Sequence, residues 1–188
     1  MLEVNFSPFP VLSTERLILR ATGPEDVTDM YEMRSNKEVM DMIGRPVPKS
    51  EADVLELIGK IQNFVAANEA IAWSITLRDS GKYAGTISLH VIIKEHYRAE
   101  VGYMLLPAYY RQGILDEALK AVIHYGFNTL GLHSIEAQIS PVNTASRKLV
   151  ERNHFVQEAY FKENCFKGGK FVDTVVYSLV NSNSSRTT

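Results

Sequence analysis

Cysteine is nearly missing from this chain: Cys165 is the only one in 188 residues. No intrachain disulfide can form, and no CxxC pair exists to grip zinc. With no partner base evident, Cys165 reads as a bystander rather than a nucleophile. Histidine is sparse too. His90, His96, His124, His133 and His154 are scattered, with no ligand spacing such as HxxxH, so no metal is assigned. No run of about 18 apolar residues is available to span a membrane. The opening MLEVNFSPFP lacks the basic-then-apolar plan of a signal peptide, so the cytoplasm is the default location. Charge of one sign is also lacking. Lys and Arg number 20 against 22 Asp and Glu, a formal net charge of −2, which leaves no broad footprint for nucleic acid. Neither GxGxxG nor GxxxxGK[ST] appears, which argues against a flavin or nucleotide-binding α/β domain.

What is present suits one globular domain. The chain is 45% hydrophobic and 22% charged, enough for a real core. Residues 1–12 read as an N-terminal extension, 13–180 as the domain, and 181–188 as a small polar tail. Leu12–Glu15 is a polar lead-in, and Arg16–Arg20 alternates as a first strand. Pro24 suits the first turn of a helix whose apolar stripe is Val27, Met30, Tyr31 and Met33. Gly44–Pro48 breaks it. Ser50 to Asp53 resembles a capping box with Asp in place of Glu. Val54, Leu57, Ile58, Ile61, Phe64 and Val65 then follow at helical spacing.

Ile71–Leu77 and Tyr83–Ile93 read as a hairpin around Asp79-Ser80-Gly81-Lys82. A strand near Glu100–Leu106, a helix through Leu115, Ala118, Leu119, Val122 and Ile123, and a strand at Ile135–Ile139 follow. A short helix at Thr144–Asn153 precedes closing strands at Phe155–Tyr160 and Phe171–Val180. The order β-α-α-β-β-β-α-β-α-β-β implies an α/β (α+β) fold. Its expected form is a single mixed sheet of about seven strands flanked by four helices.

The stretch Glu100–Ala118 carries the most information. A strand is closed by Pro107, and the polar turn Tyr110-Arg111-Gln112-Gly113 leads into a helix. The unpaired N–H groups of a helix's first turn, with its dipole, favour an anion such as a diphosphate. The backbone of Gln112, Gly113, Ile114 and Leu115 would form that cradle, with Arg111 adding a charge-assisted contact. An ordinary strand–turn–helix junction is the plain alternative. Asn143 suits an N-cap with Ser146 at N3, which by itself is a purely structural role.

These residues resemble the GCN5-related N-acetyltransferase (GNAT) superfamily, enzymes that use acetyl-coenzyme A. The resemblance runs from about Ser13 to Val180. Thr14–Arg20 looks like the family's opening strand, Gly85-Thr86-Ile87 like its third. Ala99–Tyr103 with Leu106-Pro107 resembles the cofactor strand, Asn143–Ser146 the head of the fourth helix, and Asp173–Tyr177 the last strand. Arg152-Asn153-His154-Phe155 is similar to a run in the branch that acetylates ribosomal-protein N-termini at alanine or serine. Leu115 departs from the family's usual small residue, and Arg111 stands where this branch often has glycine.

The resemblance implies a largely antiparallel sheet and an acetyl-coenzyme A cosubstrate. The acceptor would be a primary amine, either a protein N-terminus or a small molecule. A metal, nucleic acid and a membrane are not expected; a homodimer is compatible with the sequence. Neighbouring strands would splay so that backbone groups at Tyr103–Leu105 meet the pantetheine arm. An amide near Met104 or Leu105 would stabilise the oxyanion. Asn143 would contact the cofactor arm, and Ser146 would protonate the leaving thiolate. Glu100, at the start of the cofactor strand, is the candidate general base, with Glu163 and Glu158 as fallbacks. Tyr160 is a second candidate proton donor, and Trp73 reads as core or pocket wall. A coenzyme A-binding sensor or partner module without transfer activity is the alternative function.

Overall fold

The computed structural model describes residues 1–182, so most of the expected polar tail lies outside the described residues. The elements are β1 (Leu12–Ser13), β2 (Leu17–Ala21), α1 (Val27–Ser35), α2 (Lys37–Ile43), α3 (Glu51–Ala66), β3 (Ile71–Leu77), β4 (Tyr83–Ile93) and β5 (Arg98–Leu105). Then come α4 (Ile114–Asn128), β6 (Ser134–Ile139), α5 (Thr144–Arg152), β7 (Val156–Lys167) and β8 (Lys170–Val180). All eight strands join one sheet, in the order β1-β2-β3-β4-β5-β6-β8-β7. Every neighbouring pair is antiparallel except β5 with β6. The mixed, largely antiparallel sheet of the sequence reading is therefore present.

The extra strand is the two-residue β1, which falls in the stretch read as a lead-in. The extra helix arises at Asn36. Its extended backbone (φ −71°, ψ 112°) interrupts the first helical run, and its side chain accepts from the Val39 amide at 3.2 Å to start α2. The capping box expected at Ser50 does not form. The Ser50 side chain makes no capping bond, and the Asp53 carboxylate reaches past it to the Lys49 amide at 2.7 Å.

Apolar residues cover both faces of the sheet. On one face α4 lays Ala118, Leu119 and Val122 against Leu19, Trp73 and Ile87. On the other, α1–α3 pack Met30, Met40, Val54 and Ile58 against Tyr83 and Met104. β5 serves both faces by strand alternation: Ala99, Val101 and Leu105 face the α4 side, whereas Met104 faces α1–α3. The first residues fold onto the α4 side. Leu2 and Phe6 are buried there, the Leu2 amide donates to the Lys94 carbonyl at 3.0 Å, and the Trp73 indole donates to the Pro10 carbonyl at 2.7 Å.

Candidate active site

The site grows from a failure of pairing. β5 runs alongside β4 from Arg98 to Leu105, opposite Ile93 and Gly85 at its two ends. Against β6 it pairs only at Arg98↔Ser134, Ala99↔Ile135 and Glu100↔Glu136. β6 itself continues to Ile139, paired with β8. Beyond Glu100, then, β5 and β6 part. Backbone direction shows which groups the gap exposes. The Leu106 amide donates to the Ala84 carbonyl at 2.8 Å, and antiparallel bonding repeats every second residue. The amides of Met104 and Gly102 therefore face β4, and those of Tyr103 and Leu105 face the gap. Of the two expected oxyanion donors, Leu105 is directed suitably; Met104 offers its side chain to the cleft instead.

The turn after β5 is built from left-handed backbone at Arg111 (φ 60°) and Gly113 (φ 75°). Gly113 is the N-cap of α4, with no side chain capping it. Among the described residues no protein acceptor engages the amides of Gln112, Gly113, Ile114 or Leu115. A side chain at Gly113 would be strained by its φ and would sit 3.3 Å from an Arg16 terminal nitrogen. Arg16 braces this turn. Its Nη1 donates to the Gln112 carbonyl at 2.9 Å, and its Nε pairs with Glu117 at 2.6 Å.

Two carboxylates in the first turn of α4 would repel an anion, but both are held elsewhere. Glu117 also accepts from the Thr14 hydroxyl at 2.5 Å and the Arg16 amide at 2.9 Å. Asp116 accepts from Lys120 at 2.7 Å and Asn153 at 2.8 Å. Partial burial opposes ionisation of each carboxyl, but these donors and cations outweigh it and hold both below the usual carboxylate range. The Leu115 side chain is half-buried against the α4-side core. A donor-only turn with an exposed arginine at position 111 fits a diphosphate.

A cleft of about 1070 Å³ opens along the α1–α3 face of β4 and β5. Glu100, Met104, Asn143 and Ser146 line it; Arg111 to Leu115 do not, since the turn follows the C-terminal end of β5. Glu100 sits directly across from His90, with 3.6 Å between Oε1 and Nε2. The other His90 ring nitrogen is 3.4 Å from the Ser88 hydroxyl, which donates to the Gly102 carbonyl at 3.3 Å. The Asn143 side chain accepts from the Ser146 amide at 3.0 Å, the expected cap. The Ser146 hydroxyl in turn lies 2.7 Å from that of Tyr103. Burial pushes the Tyr103 phenol up to about 12, partly opposed by the Ser146 bond, so it remains neutral near pH 7.

Other candidates lie apart. Glu158 and Glu163 are exposed on β7 and do not line the cleft; the Glu163 amide donates to Asp173 at 2.8 Å. Tyr160 is exposed, its hydroxyl donating to Asp173. Cys165 is half-buried and does line the cleft. Trp73 is fully buried, edge-on to Tyr125 at 5.5 Å. His90, the Tyr103 hydroxyl and the Arg16 brace escaped the sequence reading. For His90 a signal was available: Thr86, Ser88 and His90 alternate onto one face of the hairpin, toward Glu100. A second hollow of about 300 Å³, beside Phe6, Phe9 and α3, contains no titratable side chain.

A family model described as the acetyltransferase (GNAT) domain matches residues 16–156. The chain is 34% identical, over 92% of its length and 97% of the relative's, to the uncharacterized N-acetyltransferase YoaA of Bacillus subtilis. It is 27% identical, over 89% of both chains, to the ribosomal protein uS5-alanine N-acetyltransferase of Escherichia coli. The crystal structure of a GNAT-family acetyltransferase from Bacillus anthracis superposes with a TM-score of 0.82 at 28% identity, covering 91% of this chain and 98% of that one. Glycine turn, parted strands and capped α5 thus occur together in a chain that belongs to the acetyltransferase (GNAT) family, an N-acetyltransferase with acetyl-coenzyme A as its cosubstrate.

Proposed function

We propose that this enzyme acetylates a primary amine, the α-amino group of a peptide or small molecule, by direct attack within a ternary complex. The observation carrying this reading is the gap between β5 and β6, flanked by Glu100, the Leu105 amide and Ser146. A relative that acetylates alanine on a ribosomal protein supports the acceptor class, and a cytoplasmic location accords with it.

Acetyl-coenzyme A supplies the acetyl group activated as a thioester. The Gln112–Leu115 amides and Arg111 hold the diphosphate, and Asn143 steadies the arm. Glu100, backed by His90, takes the proton released as the amine's nitrogen–carbon bond forms. The Leu105 amide donates to the acetyl oxygen as charge gathers there. Ser146 gives a proton to the departing sulfur and recovers one through Tyr103, whose hydroxyl touches it. An α-amino group is an easy acceptor, because its pKa is about 8 against roughly 10.4 for lysine.

Free thiol release on mixing the protein, acetyl-coenzyme A and a panel of amines tests the proposal. Glu100→Gln is expected to reduce kcat by about 10²–10⁴, the usual worth of a positioned acid or base, with coenzyme affinity retained. Ser146→Ala should lower kcat by a smaller factor. Coenzyme binding without thiol release from any amine would instead favour a coenzyme A-binding module.

A further inference from the structure

One wall of the cleft carries positive charge that has no paired carboxylate among the described residues. Arg34, Arg45 and Lys167 all line it. Arg34, in the last turn of α1, is half-buried, Arg45 is exposed and Lys167 is half-buried. Among the described residues none of the three has an ion pair. Among the described residues the Lys167 ammonium has only the Ile43 carbonyl, at 3.4 Å. Among the described residues the Arg34 side chain makes no hydrogen bond, and its Nε is sealed from solvent without an acceptor. Arg34 is also one of the residues that line the cleft. Burial pulls the guanidinium below its usual value; nearby Tyr83, its buried hydroxyl without a hydrogen-bond partner, opposes this, and repulsion from Arg45 adds a smaller downward push.

The cleft's carboxylates do not answer this charge. Glu100 faces His90 across the hairpin, and Glu69 is exposed ahead of β3. A buried cationic donor without an acceptor is costly, and a guanidinium fork matches a carboxylate's two oxygens. A polycation meets repulsion at the same wall.

Building on the acetyl-transfer reading, we infer that the acceptor is a primary amine bearing a carboxylate, with the carboxylate held by Arg34 and Arg45 while the amine reaches Glu100. Arg34 is then the main selector of the acceptor, and Arg45 an exposed helper.

The test uses the full chain saturated with coenzyme A. Calorimetry measures binding of three C-terminally amidated peptides, Ala-Glu-Glu, Ala-Gln-Gln and Ala-Lys-Lys, and of free alanine against alaninamide. Thiol release is followed in parallel with acetyl-coenzyme A. The expected result is a carboxylate preference of roughly tenfold or more, the scale of a charged hydrogen bond. Preference among the peptides assigns the carboxylate to a side chain; preference for free alanine assigns it to the acceptor's own α-carboxylate. Arg34→Met should collapse the acidic-to-neutral ratio toward one, and Arg34→Lys should restore part of it. Arg45→Gln, at an exposed position safe for folding, should lower the ratio a few-fold. Coenzyme affinity checks that each variant is folded. Equal binding in both series, or Arg34→Met weakening acidic and neutral acceptors alike, overturns the inference. A carboxylate preference without thiol release would sink the transfer reading and leave only the carboxylate site at Arg34 standing. Release from neutral or basic acceptors as readily as from acidic ones would do the reverse.

Discussion

β5 has a different relationship with each of its neighbours. Toward β4 it is paired along its length, so closely that a side chain at Gly85 would come within 2.2 Å of the Met104 carbonyl. Toward β6 it pairs over residues 98–100 and then departs. The closed side spends its backbone groups on the sheet and yields stability. The open side leaves amides unspent and yields a binding site. One strand can do both because its hydrogen-bonding edges are independent, and because its side chains alternate between two cores.

If that contrast is right, damage to the closed side should register first in stability. Gly85→Val, forced into the Met104 carbonyl and the Leu105 Cα at 2.9 Å, should destabilise the fold by about 3 kcal/mol, the upper range for overpacking. Urea denaturation measures this, and a cost under about 1 kcal/mol would show that the two strands can yield.

The open side has an alkaline signature. The folded Tyr103 phenol titrates at about 12, above an unfolded value of about 10. Stability from its neutral form is complete below pH ~10 and is lost as pH rises toward ~12, on the order of 2–3 kcal/mol. Tyr103→Phe should flatten that part of the stability–pH curve. Near neutral pH it should cost only about 1 kcal/mol, the worth of the bond to Ser146. An unchanged alkaline limb would place the loss in Tyr83 and Tyr125, which burial also raises.

Substitutions at the turn should separate binding from folding. Gly113→Val should cost about 1–2 kcal/mol through left-handed strain and weaken coenzyme A by tenfold or more in calorimetry. Arg16→Gln is the mildest. Its exposed pair with Glu117 is worth under about 1 kcal/mol, so the melting temperature should barely move while coenzyme affinity falls a few-fold.

Local chemistry made much of this legible. The strand near Glu100–Leu106, the break at Pro107, the glycine of the turn and the Asn143 cap each follow from a few adjacent residues. The β3–β4 hairpin also followed from local signals, whereas the pairing that sets Glu100 opposite His90 did not. What stayed hidden depends on partners far away in sequence. Nothing adjacent to Glu100 marks where β5 leaves β6, because the divergence is a property of two twisted strands and of α4 between them. The Arg16 brace acts on a carbonyl 96 residues downstream. The bulk of Leu115 drew attention as a departure from the family pattern, and only the packing of α4 shows its side chain directed to the core. The isolation of Arg34 is likewise a statement about what does not come near it, which no local pattern records.

The arginine that steadies the coenzyme turn belongs to the start of the chain, yet the turn it steadies is made more than halfway along. A fragment beginning after β2 would carry the glycine, the helix and the parted strands and still grip the nucleotide poorly. Coenzyme affinity thereby becomes a gauge of whether the start of the chain has met the coenzyme turn. By mass action the coenzyme also rewards the chain for completing that closure.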